Sequence, residues 1–224
     1  MTGDHLTPKF ITFDLYGTLT NFQMSDVTAE LMADRVDESD MGRFLDDFEA
    51  FRGDEVLGTF KPYAQVITGS FRRTCDLWNM AYDSEIADAI VDAIPTWGPH
   101  PDVPEALART AEAYPLVILS NANDEQIRHN VDKLGAPFHA IYTAEQARSY
   151  KPCFAAFEYM LDQLGCQRHE ILHVSASLYY DLMPCHHMRI VNKVYVNRGY
   201  EPSVPFFGYH EIPDITHLPG LLGL

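Results

Sequence analysis

Residues 9–22 read KFITFDLYGTLTNF. Within them, Phe10-Ile11-Thr12-Phe13 is a short apolar run of the kind that forms a strand buried on both faces. Asp14 ends the run, and Gly17-Thr18 marks a turn just beyond it. An acid in that place is most often a turn or cap residue. It also stands where open parallel sheets bind their ligands, beyond the carboxyl ends of the strands. The rest of the chain decides between these uses.

Further apolar runs follow at Leu116–Leu119, Ala140–Tyr142, Ile171–Val174 and Val194–Val196. Helical patterns lie between them. Asn123-Asp124 caps a helix through Ile127 to Leu134, and Phe154, Phe157, Leu161 and Leu164 share one helical face closed by Gly165. Strand–helix alternation predicts an α/β fold with a doubly wound parallel sheet. About 100 residues separate Phe13 from Leu116, whereas a crossover needs only a dozen or so. Phe44, Phe48 and Phe51, then Phe71, Cys75 and Trp78, then Ile86, Ile90 and Ile94 recur at helical spacing inside that gap. The chain therefore reads as a Rossmann-like core of residues 1–21 and 99–224 with a helical cap, residues 22–98, inserted after the first strand. The tail beyond Arg198 is expected to wrap irregularly over the core.

Thirty-two acids against 16 bases give a formal net charge of −16. Such a surface repels a phosphate backbone, so nucleic acid is excluded as a partner. An anion site would need to be built locally from a few cations and backbone N–H groups. Cys75, Cys153, Cys166 and Cys185 form no C-x-x-C pair and suit a reducing compartment. The N-terminus shows no basic segment followed by an apolar one, and no apolar run approaches the roughly 20 residues of a membrane helix. A cytoplasmic soluble protein is expected.

Polar residues cluster at the other strand ends too: Ser120-Asn121, then Lys151, then Ser175, Ser177 and Asp181. Each alone is an ordinary loop or cap residue. Together, at successive strand ends, they bring two acids, a lysine and small hydroxyls to one face of the sheet.

These motifs resemble those of the haloacid dehalogenase superfamily. FDLYGTL is similar to its first motif, LSN at Leu119–Asn121 to its second, Lys151 in YKP to its third, and VSASLYYD, Val174–Asp181, occupies the place of its fourth. Superfamily phosphatases carry a second aspartate two residues after the nucleophile, where this chain has Tyr16. They also place an acid for magnesium in the fourth motif, where this chain has Ser175-Ala176. Phosphoryl transfer needs the cation, whereas a halide leaves carbon without a proton. The resemblance is thus to the L-2-haloacid dehalogenases, which implies no cofactor, no metal, a small 2-halocarboxylate substrate and a homodimer.

The resemblance also implies roles. Asp14 attacks the α-carbon of the substrate and forms an ester, which water opens at the aspartyl carbonyl. Thr18 and Ser175 hold Asp14, and Lys151 keeps it ionised. Ser120, with N–H groups near Leu15, Tyr16 and Asn121, binds the substrate carboxylate. Asp181 orients Lys151 and helps activate the water, and Ser177 orients that water. Arg52, with Arg43 as its rival, receives the halide, and Phe60, Tyr63 and Tyr179 wall the pocket. The family's dehalogenases have asparagine at the position of Ser177, an acid one residue before Asp181, and tyrosine at Phe157. Three alternatives stay open on the sequence: another small carboxylate electrophile such as fluoroacetate or azetidine-2-carboxylate, a phosphatase, and a silent binding module.

Overall fold

Phe10–Phe13 forms strand β1, the centre of the fold. A computed structural model describes residues 6–224. Residues 1–5, which belong to the leader reading and to the 1–21 core segment, lie outside the described residues. The other strands are β2 (Leu116–Ser120), β3 (Ala140–Thr143), β4 (Ile171–Ser175), β5 (Lys193–Val196) and β6 (His210–Ile212). They form one parallel sheet in the order β3-β2-β1-β4-β5-β6. Strand order reverses between β1 and β4, which makes that crevice the topological switch point.

Both faces of the sheet are buried, as the apolar runs require. Ile11, Phe13, Leu116, Ile118, Leu172 and Val174 point into one layer of core. Phe10, Val117, Leu119 and Ile171 point into the other, against Phe157, Met160 and Leu161. This is the period-two alternation of a pleated strand, covered on each side by helices.

Between β1 and β2 run α1 (Met24–Met32), α2 (Glu38–Glu55), α3 (Tyr63–Leu77) and α4 (Ser84–Ala93). They bury an apolar cluster of their own that includes Met24, Phe44, Phe48, Phe71, Cys75 and Ile90. Phe51 and Trp78, which share the sequence spacing, are only partly buried. Helix α5 (Val103–Ala111) leads into β2, and α6 (Asp124–Val131) follows it. The Asn123 side chain caps α6 by accepting the Gln126 N–H at 2.7 Å. Short α7 (Ala144–Ala147) and longer α8 (Phe154–Leu164) lie between β3 and β4, and Gly165 closes α8 at φ +59°.

The tail departs from its irregular reading. It adds β6 to the edge of the sheet and a short helix, α10 (Leu218–Leu221), after the five-residue α9 (Met183–His187) that follows β4. Strand β6 is only three residues long with a single buried side chain, Ile212, so no apolar run announces it.

Candidate active site

Strand register brings the polar clusters together. Phe13 pairs with Ile118 of β2 and Val174 of β4, so Asp14 emerges between the ends of both neighbours. Gly17 then turns the chain at φ +88°, a conformation that favours glycine. The turn sends Thr18 back onto Asp14, and its hydroxyl donates to Asp14 Oδ2 at 2.7 Å. Thr18 Oγ1 in turn accepts the Ala176 N–H at 2.8 Å, which ties the first strand end to the fourth.

Lys151 reaches the other Asp14 oxygen. Its Nζ lies 2.8 Å from Asp14 Oδ1 and 2.8 Å from Asp181 Oδ1, and it is fully enclosed. The Asn121 side chain fixes the Lys151 backbone from both sides, donating to its carbonyl at 2.9 Å and accepting its N–H at 2.7 Å. Asp181 sits in a π-helical turn over Leu178–Leu182, a geometry that recurs at functional sites. It is fully buried, with His173 on Oδ1 at 2.9 Å and Ser175 on Oδ2 at 3.0 Å.

The charges follow from these contacts. Burial pushes the Asp14 carboxyl up, and Lys151 and Thr18 pull it only part of the way back. Burial pulls the Lys151 ammonium down, but the Asp14 and Asp181 carboxylates outweigh it and leave its pKa above the ordinary value. Burial pushes Asp181 up as well, yet Lys151 and His173 together hold it below the usual carboxylate range. Lys151 therefore does act on Asp14, but the net shift of the proposed nucleophile is upward because desolvation wins.

Asp14 opens onto a cavity of about 900 Å³ between the strand ends and the inserted helices. Ser120 lines it with a buried hydroxyl that has no protein partner. Among the described residues the N–H groups of Leu15 and Tyr16 make no backbone hydrogen bond, so they too are available. On the facing wall Arg52 packs over the Phe22 and Phe48 rings, at 5.6 and 5.1 Å, and its Nε lacks a partner. Tyr63 and Tyr179 also border the cavity. Arg43 does not: it lies over Trp78 and pairs with Asp40 at the exposed surface. Phe60 stacks on Tyr150 away from the cavity lining.

Several expectations need correction. Ser175 does not hold Asp14; it donates to Asp181 and accepts the Ser177 N–H at 2.9 Å. The Ser177 hydroxyl borders the cavity but accepts the Tyr180 N–H at 3.0 Å, which makes it the cap of the π-helical turn. No correction applies to Asn121, whose backbone N–H was the expected group: its side chain is committed to Lys151. Leu15 likewise needs none, since the expectation was its backbone N–H and its side chain lies in the core. Three participants escaped the sequence reading: His173, Asn130, which accepts the Tyr16 hydroxyl at 2.8 Å, and Glu201, which accepts the Leu178 N–H at 3.0 Å at the cavity edge. A lone imidazole inside the run ILHV was the one available signal, because a buried ring nitrogen needs partners.

A family model described as haloacid dehalogenase-like hydrolase matches residues 8–186. The chain belongs to that family. Haloacetate dehalogenase H-2 of Moraxella sp. (strain B) is 25% identical over 178 residues, 75% of this chain and 76% of that protein. The (S)-2-haloacid dehalogenase 4A of Burkholderia cepacia is 28% identical over 142 residues, 61% of this chain and 61% of that one. The structure of L-2-haloacid dehalogenase from Xanthobacter autotrophicus with chloropropionic acid covalently bound shares the fold, with a TM-score of 0.77 at 18% identity over 96% of this chain and 98% of that one.

The resemblance to the superfamily's phosphatases would put a magnesium-holding acid in the fourth motif. The residues here do not fit such an ion. Ala176 offers only a methyl group, and the Tyr16 phenol, pushed up by burial, is spent on Asn130. Among the described residues, no group of three or more His, Cys, Asp or Glu is placed to hold a metal.

Proposed function

We propose that this hydrolase is an (S)-2-haloacid dehalogenase, which converts (S)-2-haloalkanoic acids to (R)-2-hydroxyalkanoic acids and halide through an ester on Asp14. The observation that carries the reading is a buried carboxylate, clamped at one oxygen by Thr18 and at the other by Lys151, facing a cavity with a cation on its opposite wall. The names of the Moraxella and Burkholderia relatives support it.

The substrate carboxylate binds at the free Ser120 hydroxyl and the N–H groups of Leu15, Tyr16 and Asn121. That seat turns the α-carbon toward Asp14 and the halogen toward Arg52. An Asp14 oxygen displaces the halide, which leaves with its electron pair and without a proton. Arg52 receives the anion. Water then adds to the aspartyl carbonyl carbon and the acyl C–O bond breaks; one water proton passes to the leaving alkoxide oxygen and the other to solvent, so the substrate departs as the hydroxy acid, inverted once. Asp181 keeps Lys151 in place. Oδ1 takes Lys151 and His173 and Oδ2 only Ser175, so the carboxylate, which borders the cavity, is also the group that helps activate the water.

Four further parts belong to the reading: from the spacing of apolar residues, residues 22–98 act as the cap over a core of 1–21 and 99–224; from cysteine usage, the enzyme is cytoplasmic; and from the resemblance, it is a homodimer and works without a metal. No helix among the described residues is long and apolar enough to cross a membrane.

Halide release from L- and D-2-chloropropionate, with and without EDTA and with para-nitrophenyl phosphate as control, tests the proposal. Release from the L enantiomer alone, unchanged by EDTA, is the expected result. Phosphate release, or activity lost to the chelator, would overturn it. Fluoride release from a fluorinated carboxylate alone, or ring opening of azetidine-2-carboxylate with no halide released from any 2-haloacid, would move the substrate and keep the nucleophile.

A further inference from the structure

His173 lies in the middle of β4, fully buried, and nothing in the proposed reaction has used it. Strand pairing sets it beside Thr12 of β1 and Lys193 of β5. Its Nδ1 is 2.8 Å from the Thr12 hydroxyl, and its Nε2 is 2.9 Å from Asp181 Oδ1. The Phe157 ring packs against it, tilted 73° at a centroid distance of 5.3 Å. Both ring nitrogens are engaged, so the imidazole cannot turn over without giving up a hydrogen bond in a dry site.

Asp181 decides the tautomer. An ionised carboxylate only accepts, so the proton sits on Nε2 and points at Oδ1. Nδ1 shares a hydrogen bond with the Thr12 hydroxyl, whose oxygen also lies 3.5 Å from the Leu172 carbonyl. Asp181 therefore takes two donors on one oxygen, Lys151 and His173, and Ser175 on the other. A carboxylate held this way cannot swing, and neither can the ammonium that it shares with Asp14.

We infer that His173 is a positioning residue for the nucleophile: its Nε2–H fixes Asp181, and Asp181 fixes Lys151 against Asp14. The chain of contacts starts on β1 at Thr12, crosses β4 and returns to the end of β1. The inference rests on the reading of Asp14 as nucleophile. Phe157 supplies a packing face and no hydrogen bond, so among the side chains around Asp181 only Ser175 could share the task. The other titratable groups near Asp181 do not compete for it. The Cys185 thiol of α9 is pushed well up by burial and by Asp181 itself, and Lys193 donates to the Ile190 carbonyl at 2.7 Å.

Two substitutions separate hydrogen bonding from packing. His173→Phe keeps a buried ring and removes the donor, whereas His173→Gln keeps an N–H. The first readout needs no substrate. Nitrogen-15 spectra of the wild type should show the Nε2–H tautomer, and a carbon-13 titration should show the Asp181 pKa rising in His173→Phe and returning toward wild type in His173→Gln. Thr12→Val serves if His173→Phe does not fold. It leaves Nδ1 without its side-chain partner while Nε2–H still faces Asp181, so it should loosen the ring, keep the tautomer and move Asp181 in the same direction by less. The second readout is single-turnover esterification. His173→Phe should slow it about 10- to 100-fold, the usual effect of losing a hydrogen bond to a charged group, with the KM much less affected and the acid limb moved to higher pH. His173→Gln should recover most of that loss. An Nδ1–H tautomer in the wild type, an unmoved Asp181, or His173→Gln as damaging as His173→Phe would overturn the inference. A wild type that releases halide from no 2-haloacid would overturn the dehalogenase reading instead, and the two spectra would still decide the place of His173.

Discussion

The two walls of the cavity are held by different forces. On the sheet side each supporting atom has a partner: Thr18 and Lys151 on Asp14, Lys151, His173 and Ser175 on Asp181, and Asn121 on the Lys151 backbone. These groups sit on strand ends whose register is fixed by a sheet buried on both faces. On the helical side Arg52 is held by the Phe22 and Phe48 rings and by the Tyr63 hydroxyl, with an unpartnered Nε. Ring faces position a guanidinium loosely compared with a hydrogen-bonded chain. On the proposed mechanism, the chemistry falls on the hydrogen-bonded wall and receipt of the halide on the ring-packed one. Substitutions on the two walls should therefore differ in size and in which step they touch.

The largest effect is expected at the centre of the hydrogen-bonded wall. Asp14→Asn is nearly isosteric but replaces a carboxylate by a poor nucleophile, so turnover of a verified substrate should fall by at least about 10³-fold while circular dichroism stays native. Activity within tenfold of wild type would remove Asp14 from its role.

Next comes the contrast between walls. Lys151→Ala strands two buried carboxylates without their shared cation, a change of the kind that costs about 3–5 kcal/mol when one buried partner is removed. Single-turnover esterification should fall further than in Arg52→Ala, whose side chain keeps no hydrogen-bonded partner on the sheet. Equal losses would erase the distinction between the walls.

A smaller effect concerns pH. Burial leaves the Asp14 carboxyl above its ordinary range, so the ionised nucleophile is lost as pH falls through that raised pKa. The acid limb of kcat/KM should therefore lie above the value of about 3.9 typical of a free aspartate. Asp181 is shifted the other way: its stabilising contribution is present above the unfolded pKa and lost only as pH falls through its lower folded pKa. Acid unfolding should thus begin below the pH at which activity disappears. Loss of structure ahead of activity would contradict that order.

Much of the hydrogen-bonded wall was legible in the sequence, because strand ends announce themselves. FITF, LVIL and ILHV are short, largely apolar runs, and the first polar residues after them lie at neighbouring strand ends. The partner of Ser175 was legible in principle as well. Residues 173 and 175 share a parity on β4, so both side chains lie on the face opposite Val174, and both meet Asp181. Reading Ser175 by resemblance rather than by pleat sent it to Asp14. Asp181 itself depended on a π-helical turn that no residue pattern signals. The ring-packed wall was harder. Arg43 and Arg52 lie nine positions apart on one helix, and only the packing of Phe22, which precedes α1, shows which of them faces the cavity.

The most direct test of the central claim follows one oxygen atom. In a single turnover in heavy-oxygen water, with enzyme in excess, the account predicts that the label first appears in the Asp14 carboxylate. The hydroxy acid should carry the old, light oxygen of Asp14, because water attacks the aspartyl ester at its carbonyl carbon. Label appearing at once in the hydroxy acid, with Asp14 left light, would show that water strikes the substrate directly and would contradict the ester mechanism.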